Sequence, residues 1–313
     1  MVNTDALSYL TKPLRDVVLD HLNPAENVLT AIYIQHDSST IFDTWFGFVS
    51  ARRIQVPTRA FVLTTDRVLL LEDPTDSATS TAGRKYLAAS CSLECIIFFE
   101  VRSHILDCAL IFVMTTANGV ERMTVTFNGV SRTRFLVALA CIRALLAHRP
   151  LPPYTRPDDT YILERTRALK DWYAQLSGLG LRQKNAVLSY LTPGEHILEW
   201  LEVPAIDERR WWQRFGISAY EQPPTMLVGT DWQMLLVKET KRLVRKQETY
   251  GSDAWILPLE HLSEATIVSG EQRPELQITL KLGATTNVVQ CPLLPEFVER
   301  AQRLVTSSAV KRE

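Results

Sequence analysis

The chain has 313 residues, 46% of them hydrophobic and 22% charged, with a formal net charge of -1. That is the profile of a folded globular protein, not of a disordered or fibrous one. The balance also holds locally, with 14 Lys/Arg against 14 Asp/Glu in residues 1–150 and 20 against 21 in residues 151–313, which excludes the overall basic excess of general nucleic-acid binders but not a local basic patch.

Met1–Leu10 has neither a basic nor an apolar leader region, so no secretory signal is expected. No apolar run reaches the roughly 20 residues that span a bilayer. The five cysteines are an odd number without framework spacing, which predicts buried, reduced thiols and a cytoplasmic protein, with peripheral membrane contact left open.

Leu14–Leu22 has apolar residues at helical spacing and stops before Pro24, so it predicts a short opening helix. Glu26–Gln35 alternates and predicts a first strand. Phe61–Thr64 and Val68–Leu71 flank Thr65-Asp66-Arg67 as a tight hairpin, with the Asp carboxylate expected to cap the turn amides. Strands follow at Tyr86–Ser92, Ile96–Val101, Ala109–Thr116 and Arg122–Phe127, the last two joined through Asn118-Gly119. Ser131 is placed to cap a closing helix, Arg132–Ala147. A proline-rich linker, Arg149–Pro157, then leads to a helix at about Asp159–Leu176.

The series then begins again. Leu22-Asn23-Pro24-Ala25-Glu26-Asn27-Val28-Leu29 returns as Leu191-Thr192-Pro193-Gly194-Glu195-His196-Ile197-Leu198, and Phe46-Gly47 as Phe215-Gly216, at an offset of 169. Thr65-Asp66 answers Thr230-Asp231 at 165, and Leu93-Glu94 answers Leu259-Glu260 at 166. A second opening helix at Lys184–Leu191, strands at Ala254–Leu257, Ala265–Val268, Glu275–Leu282 and Asn287–Cys291, and a closing helix at Leu294–Val305 complete the second copy. The expected division is 1–148, a linker over 149–180, and 181–313.

About seven strands closed by an amphipathic helix, twice over, resembles the bacterial pleckstrin-homology-like and GRAM-type domains. The motifs behind the likeness are Leu-x-Pro-x-Glu-x-[Val/Ile]-Leu, the hairpin Phe61–Leu70, and the strand entries Ser92-Leu93-Glu94-Cys95-Ile96 and Pro258-Leu259-Glu260-His261-Leu262. The likeness covers roughly Leu14–Leu146 and Lys184–Val305. The second copy departs from it in having Trp232 where the family favours Lys or Arg. The resemblance implies a mainly β protein with capping helices, in the form of two tandem β-barrels of about seven antiparallel strands, and a non-enzymatic binding role.

Direct reading of the residues agrees with a binding role. There is no phosphate-cradling Gly-rich loop, no Gly-x-Ser-x-Gly elbow and no His-Glu-x-x-His. No cofactor is expected. His104, Asp107 and Cys108 lie close together but lack zinc spacing. The strongest candidate is the basic loop Lys238–Lys246, with Lys238, Lys241, Arg242, Arg245 and Lys246 able to pair with anionic lipid headgroups. The competing reading is a solvated hairpin kept soluble by its charges. Arg209, Arg210, Trp211 and Trp212 form a second candidate contact surface, matched in the first copy by Ile41–Val49 with Arg52-Arg53. Two functions follow. The first is protein–protein interaction or scaffolding, with an unidentified protein partner and homo-oligomerisation open. The alternative is binding to an anionic membrane surface.

Overall fold

A computed structural model describes residues 4–35, 37–45, 48–73, 86–103, 107–151, 159–205, 223–244, 247–270 and 273–310. For 4–5, 37–45, 48–56, 107, 130, 159–160, 241–244, 247–250 and 306–310 only the backbone is described. The fold is mainly β, with 47% of residues in strands arranged as several antiparallel sheets with a few helices.

The first half opens with a 3-10 helix, Thr4–Tyr9, and helix α1 (Lys12–His21). Their apolar residues Leu7, Leu10, Leu14 and Val18 cover the outer face of a four-stranded sheet. That sheet is ordered β1 (Val28–Ile34), β4 (Arg59–Thr64), β5 (Arg67–Glu72), β6 (Leu87–Ser92), with a separate hairpin of β2 (Asp37–Trp45) and β3 (Phe48–Val56) inserted after β1. A 3-10 turn at Leu93–Cys95 leads into β7 (Ile96–Ser103), β8 (Asp107–Thr116) and β9 (Gly119–Asn128), closed by α2 (Arg132–Leu146). The linker helix α3 (Asp159–Gln175) and α4 (Leu181–Leu188) precede the second half. There β10 (Ile197–Val203), β11 (Thr225–Thr230), β12 (Gln233–Val244) and β13 (Gln247–Pro258) are followed by β14 (Leu262–Ser269), β15 (Pro274–Leu282), β16 (Thr285–Pro292) and α5 (Val298–Val310).

The halves repeat each other down to their irregularities. The bulge between Val28 and Thr30 in β1 recurs between Ile197 and Glu199 in β10. The bulge between Ile96 and Phe98 in β7 recurs between Leu262 and Glu264 in β14. Bulges bend and twist a ladder at one fixed place, so shared bulges mean shared strand geometry. Thr64 and Thr230 hold the same turn, so the hairpins align at an offset of 166. The offset of 165 expected from the Thr-Asp dipeptide is one residue short. Arg67 therefore matches Gln233, and Trp232 matches Asp66.

Two closed barrels were expected, and the sheets remain open. Among the described residues no ladder joins β6 to β7. The second half's first sheet instead runs straight into the first half's second sheet, in the order β10-β11-β12-β13-β7-β8-β9. The joint is antiparallel, Ser252–Ile256 against Ser103–Phe99. Strand β7 is consequently buried on both faces. Phe99 and Val101 belong to a core lined by residues of both halves, while Ile97 and Phe98 belong to the core under α5. Its uninterrupted Ile96-Ile97-Phe98-Phe99 run is what a strand with two apolar faces needs.

Helix α2 is also buried on more than one side: Phe135, Leu139 and Ile142 face the sheet, whereas Val137 and Ala140 meet Tyr161. Ser131 makes no side-chain cap; Asn128 Oδ1 accepts the Ser131 amide, 3.2 Å away, one turn earlier. Four of the five free cysteines are buried, and burial pushes the Cys91 thiol up to about 12 and Cys291 up to about 11. Such thiols stay protonated and inert. Among the described residues no helix is long and apolar enough to cross a membrane.

Candidate functional site

The glutamate of each Leu-x-Pro-x-Glu motif is a buried structural hub, 1% exposed in both halves. Glu26 accepts the Asn23 amide at 2.8 Å and the Thr64 hydroxyl at 3.1 Å, and Arg67 donates to both its oxygens at 2.7 and 2.8 Å. The Thr64 hydroxyl also accepts the amides of Asp66 and Arg67, so threonine, not aspartate, caps this turn. Glu195 accepts the Thr192 amide at 2.9 Å, the Thr230 hydroxyl at 2.6 Å and the Gln233 amide nitrogen at 2.7 Å. With glutamine at the Arg67 position, its positive partner comes from the other half. Arg143 on α2 donates to Glu195 and to the Tyr190 carbonyl. Trp172 on α3 donates to the Glu195 carbonyl at 2.9 Å. Arg143 was not legible as a partner; a single arginine within Ala138-Leu139-Ala140-Cys141-Ile142-Arg143-Ala144-Leu145 was the available signal.

The Glu195 hub lies beside a cleft of about 800 Å³ at the seam between the linker segment and the second half. One wall is α3, where Glu164, Arg167, Ala168 and Asp171 fall on one face by their spacing. The opposite wall is the motif segment Pro193, Gly194 and His196, with Asp231 and Trp232 from the β11–β12 turn. Arg149, Pro150 and Leu151, just past α2, close one end. The His196 amide donates to Asp231 Oδ1 at 2.7 Å, tying the two loops together. Gly194 has φ +89, and a Cβ there would lie 3.9 Å from the Trp232 ring. The Trp232 side chain is 8% exposed and lines the cleft, whereas its first-half counterpart Asp66 is exposed.

The cleft combines two arginines, three carboxylates and a histidine with apolar surface from Pro150, Leu151, Ala168, Pro193 and Trp232. Mixed charge around an apolar lining suits a polypeptide segment better than a lone anion. Among the described residues no group of three or more His, Cys, Asp or Glu could hold a metal.

The described part of the expected basic loop, Lys238–Val244, is strand. Lys238, Lys241 and Arg242 lie on β12, paired to Asp253, Tyr250 and Thr249 of β13. The stretch is polar yet β-compatible, so it extends the hairpin instead of breaking it. Lys238 is half-buried, with its Nζ 4.9 Å from the Trp255 ring centroid, so part of its charge is already engaged. Arg245, Lys246, Arg209, Arg210, Trp211 and Trp212 lie outside the described residues, as does His104. Ile41–Trp45 and Phe48–Val49, with Arg52-Arg53, lie on the β2–β3 hairpin, of which the backbone is described. Of the predicted cations, Lys238 alone has its side chain among the described residues, and the described residues that converge on a cleft come from four other segments of the sequence.

No protein-family model matches the chain, and no curated protein matches it at a significant level.

Proposed function

We propose that this protein is a non-catalytic protein-binding module, built from two pleckstrin-homology-like units, that grips a polypeptide segment of its partner in the seam cleft. The observation that carries the reading is the cleft itself: about 800 Å³, with near-balanced charge and an apolar lining. Its walls are held from below by the Glu195 hub, so it is preorganised, and preorganised clefts lose less ordering entropy on binding. The pleckstrin-homology-like reading draws on the strand order and closing helix of each half, and on the motif residues already named.

The test is capture with the full chain and with an Arg167→Glu/Asp171→Lys variant. Both residues are exposed on the cleft face of α3, so the fold should be unaffected. A partner retained saturably by the wild type and lost by the variant is the expected result. Equal retention by both proteins would remove the cleft from the mechanism.

The membrane reading stands second, favoured by the placement of the cationic residues Lys241 and Arg242 on the β12–β13 hairpin. It predicts flotation with anionic but not neutral vesicles, abolished by salt and by Lys241→Ala/Arg242→Ala. Flotation of the wild type that survives both treatments would sink it.

A further inference from the structure

Because the halves share register, strands β4–β9 have counterparts in β11–β16 at an offset of 166 residues, and the four edges concerned have different fates. In the second half, the outer edge of β13 is covered by β7. At that joint Ser252, Ala254 and Ile256 are 8%, 1% and 0% exposed, and Phe99, Glu100 and Val101 are 0%, 4% and 5% exposed. The counterpart of β13 is β6, and the counterpart of β7 is β14. Among the described residues both are terminal strands, β6 of the four-stranded sheet and β14 of the three-stranded sheet. The residues that would form the joint are open: Leu87 is 61% exposed, Ala88, Ala89 and Ser90 are exposed, and Ala265–Val268 are half-buried.

Within the segments that would form the joint, Leu87-Ala88-Ala89-Ser90 and Ala265-Thr266-Ile267-Val268, the described residues of neither edge include the charges or prolines that usually blunt one. Row upon row of unpaired amides and carbonyls on such strands is a template for another strand. The chain already contains the solution, since the same two strand types pair within it.

We infer that β6 of one molecule pairs antiparallel with β14 of a second copy of this chain, repeating between molecules the β13–β7 joint that already links the two halves. The transposed register sets Leu87 against Val268, Ala88 against Ile267, Ala89 against Thr266 and Ser90 against Ala265. Each molecule offers one β6 and one β14, so the contact is head-to-tail. It closes into a ring if the rotation permits and otherwise extends as a filament. The joint lies outside the seam cleft, so its failure and that of the proposed function are separable.

Sedimentation velocity over a concentration series of the full chain is the test. One variant blocks β6 (Leu87→Lys/Ala89→Lys). The other blocks β14 (Thr266→Lys/Val268→Lys), leaving Ala265 and Ile267 in their packing against the core under α5. Circular dichroism and thermal melting establish that each is folded. The wild type should associate with rising concentration, and each variant alone should remain a monomer. An equimolar mixture of the two variants should form a dimer and nothing larger, because exactly complementary edges survive, one on each partner. A wild type that stays monomeric to its solubility limit would overturn the inference. So would variants that associate as the wild type does, or a mixture that never dimerises.

Discussion

Glu26 and Glu195 sit at the same position of the same motif, accept the same kind of backbone amide, and receive the hydroxyl of the same turn threonine. They differ in where the positive charge originates. Glu26 is served by Arg67 from its own half, three residues beyond Thr64. Glu195 faces Gln233 at that position and is served by Arg143 from the opposite half. The first network is local and partly open to solvent, with the Arg67 side chain 23% exposed. The second is sealed, with side-chain exposures of 5% for Arg143 and 0% for Glu195. Exchanging one arginine for a glutamine and recruiting another from the first half, 52 residues before Glu195, thus adds a buried ion pair between the two units to the β13–β7 ladder.

The sharpest way to break the comparison is Arg143→Met. It keeps the bulk of the side chain but leaves Glu195 buried without a counter-charge, which costs about 3–5 kcal/mol. Urea unfolding should show that loss as one shifted transition covering both halves, because Arg143 belongs to one half and Glu195 to the other. Adding Glu195→Gln should restore part of the loss by removing the uncompensated charge. Arg67→Met should cost less, about 1–3 kcal/mol, since Glu26 keeps its amide and hydroxyl donors and water reaches the vacated side. Equal losses in the two single variants would mean that the two hubs are energetically alike.

Much of this organisation was legible before any coordinates. The Leu-x-Pro-x-Glu motif marks both hubs, most strands lie within a few residues of their expected places, and the bulged registers repeat as the sequence repeat implies. The β2–β3 hairpin, by contrast, was not expected as strands, and β13 begins seven residues before the expected Ala254. The β13–β7 joint was not legible, because a ladder is made of backbone groups common to every residue. The Ile96-Ile97-Phe98-Phe99 run carried a hint, since a strand apolar on both faces needs cover on both. Seven such strands per unit matched barrels, but pattern alone does not say whether a sheet closes on itself or joins a neighbour. The cleft was invisible for a similar reason: Arg149, Glu164, Pro193 and Trp232 meet only once α3 is docked. The basic stretch was misjudged because charge suggested a loop, whereas Lys238–Val244 still has a strand partner across the hairpin.

A smaller effect sharpens the comparison at the motif turn. Gly194 occupies φ +89 beneath the Trp232 ring, while Ala25 at the same position of the first half is not among the positive-φ residues. Gly194→Ala should cost about 1–2 kcal/mol through backbone strain. It should also loosen the loop that His196 and Asp231 tie to the cleft, and so weaken partner capture. Ala25→Gly, by contrast, should cost less than about 1 kcal/mol, through unfolded-state entropy. Guanidinium midpoints of the two variants measure the difference, and equal shifts would mean that the two turns are not differently strained.

The smallest predicted effect separates the hubs by pH. Burial alone would raise the Glu26 carboxyl, but hydrogen bonds from Arg67, the Asn23 amide and Thr64, with the charge of Arg67, outweigh it and hold the group below its ordinary 4.5. A depressed carboxyl favours the folded state when ionised. Its contribution is therefore complete above the ordinary glutamate range and is lost as pH falls through the folded value. Glu26→Gln should be less stable than the wild type at neutral pH, and the gap should narrow as the solution is acidified below about pH 4.3. Urea midpoints of the two proteins across that range provide the measurement. A gap that stays constant with pH would mean that Glu26 contributes through shape and hydrogen bonding alone, and the charge of Arg67 would then have no part in what distinguishes the local hub from the shared one.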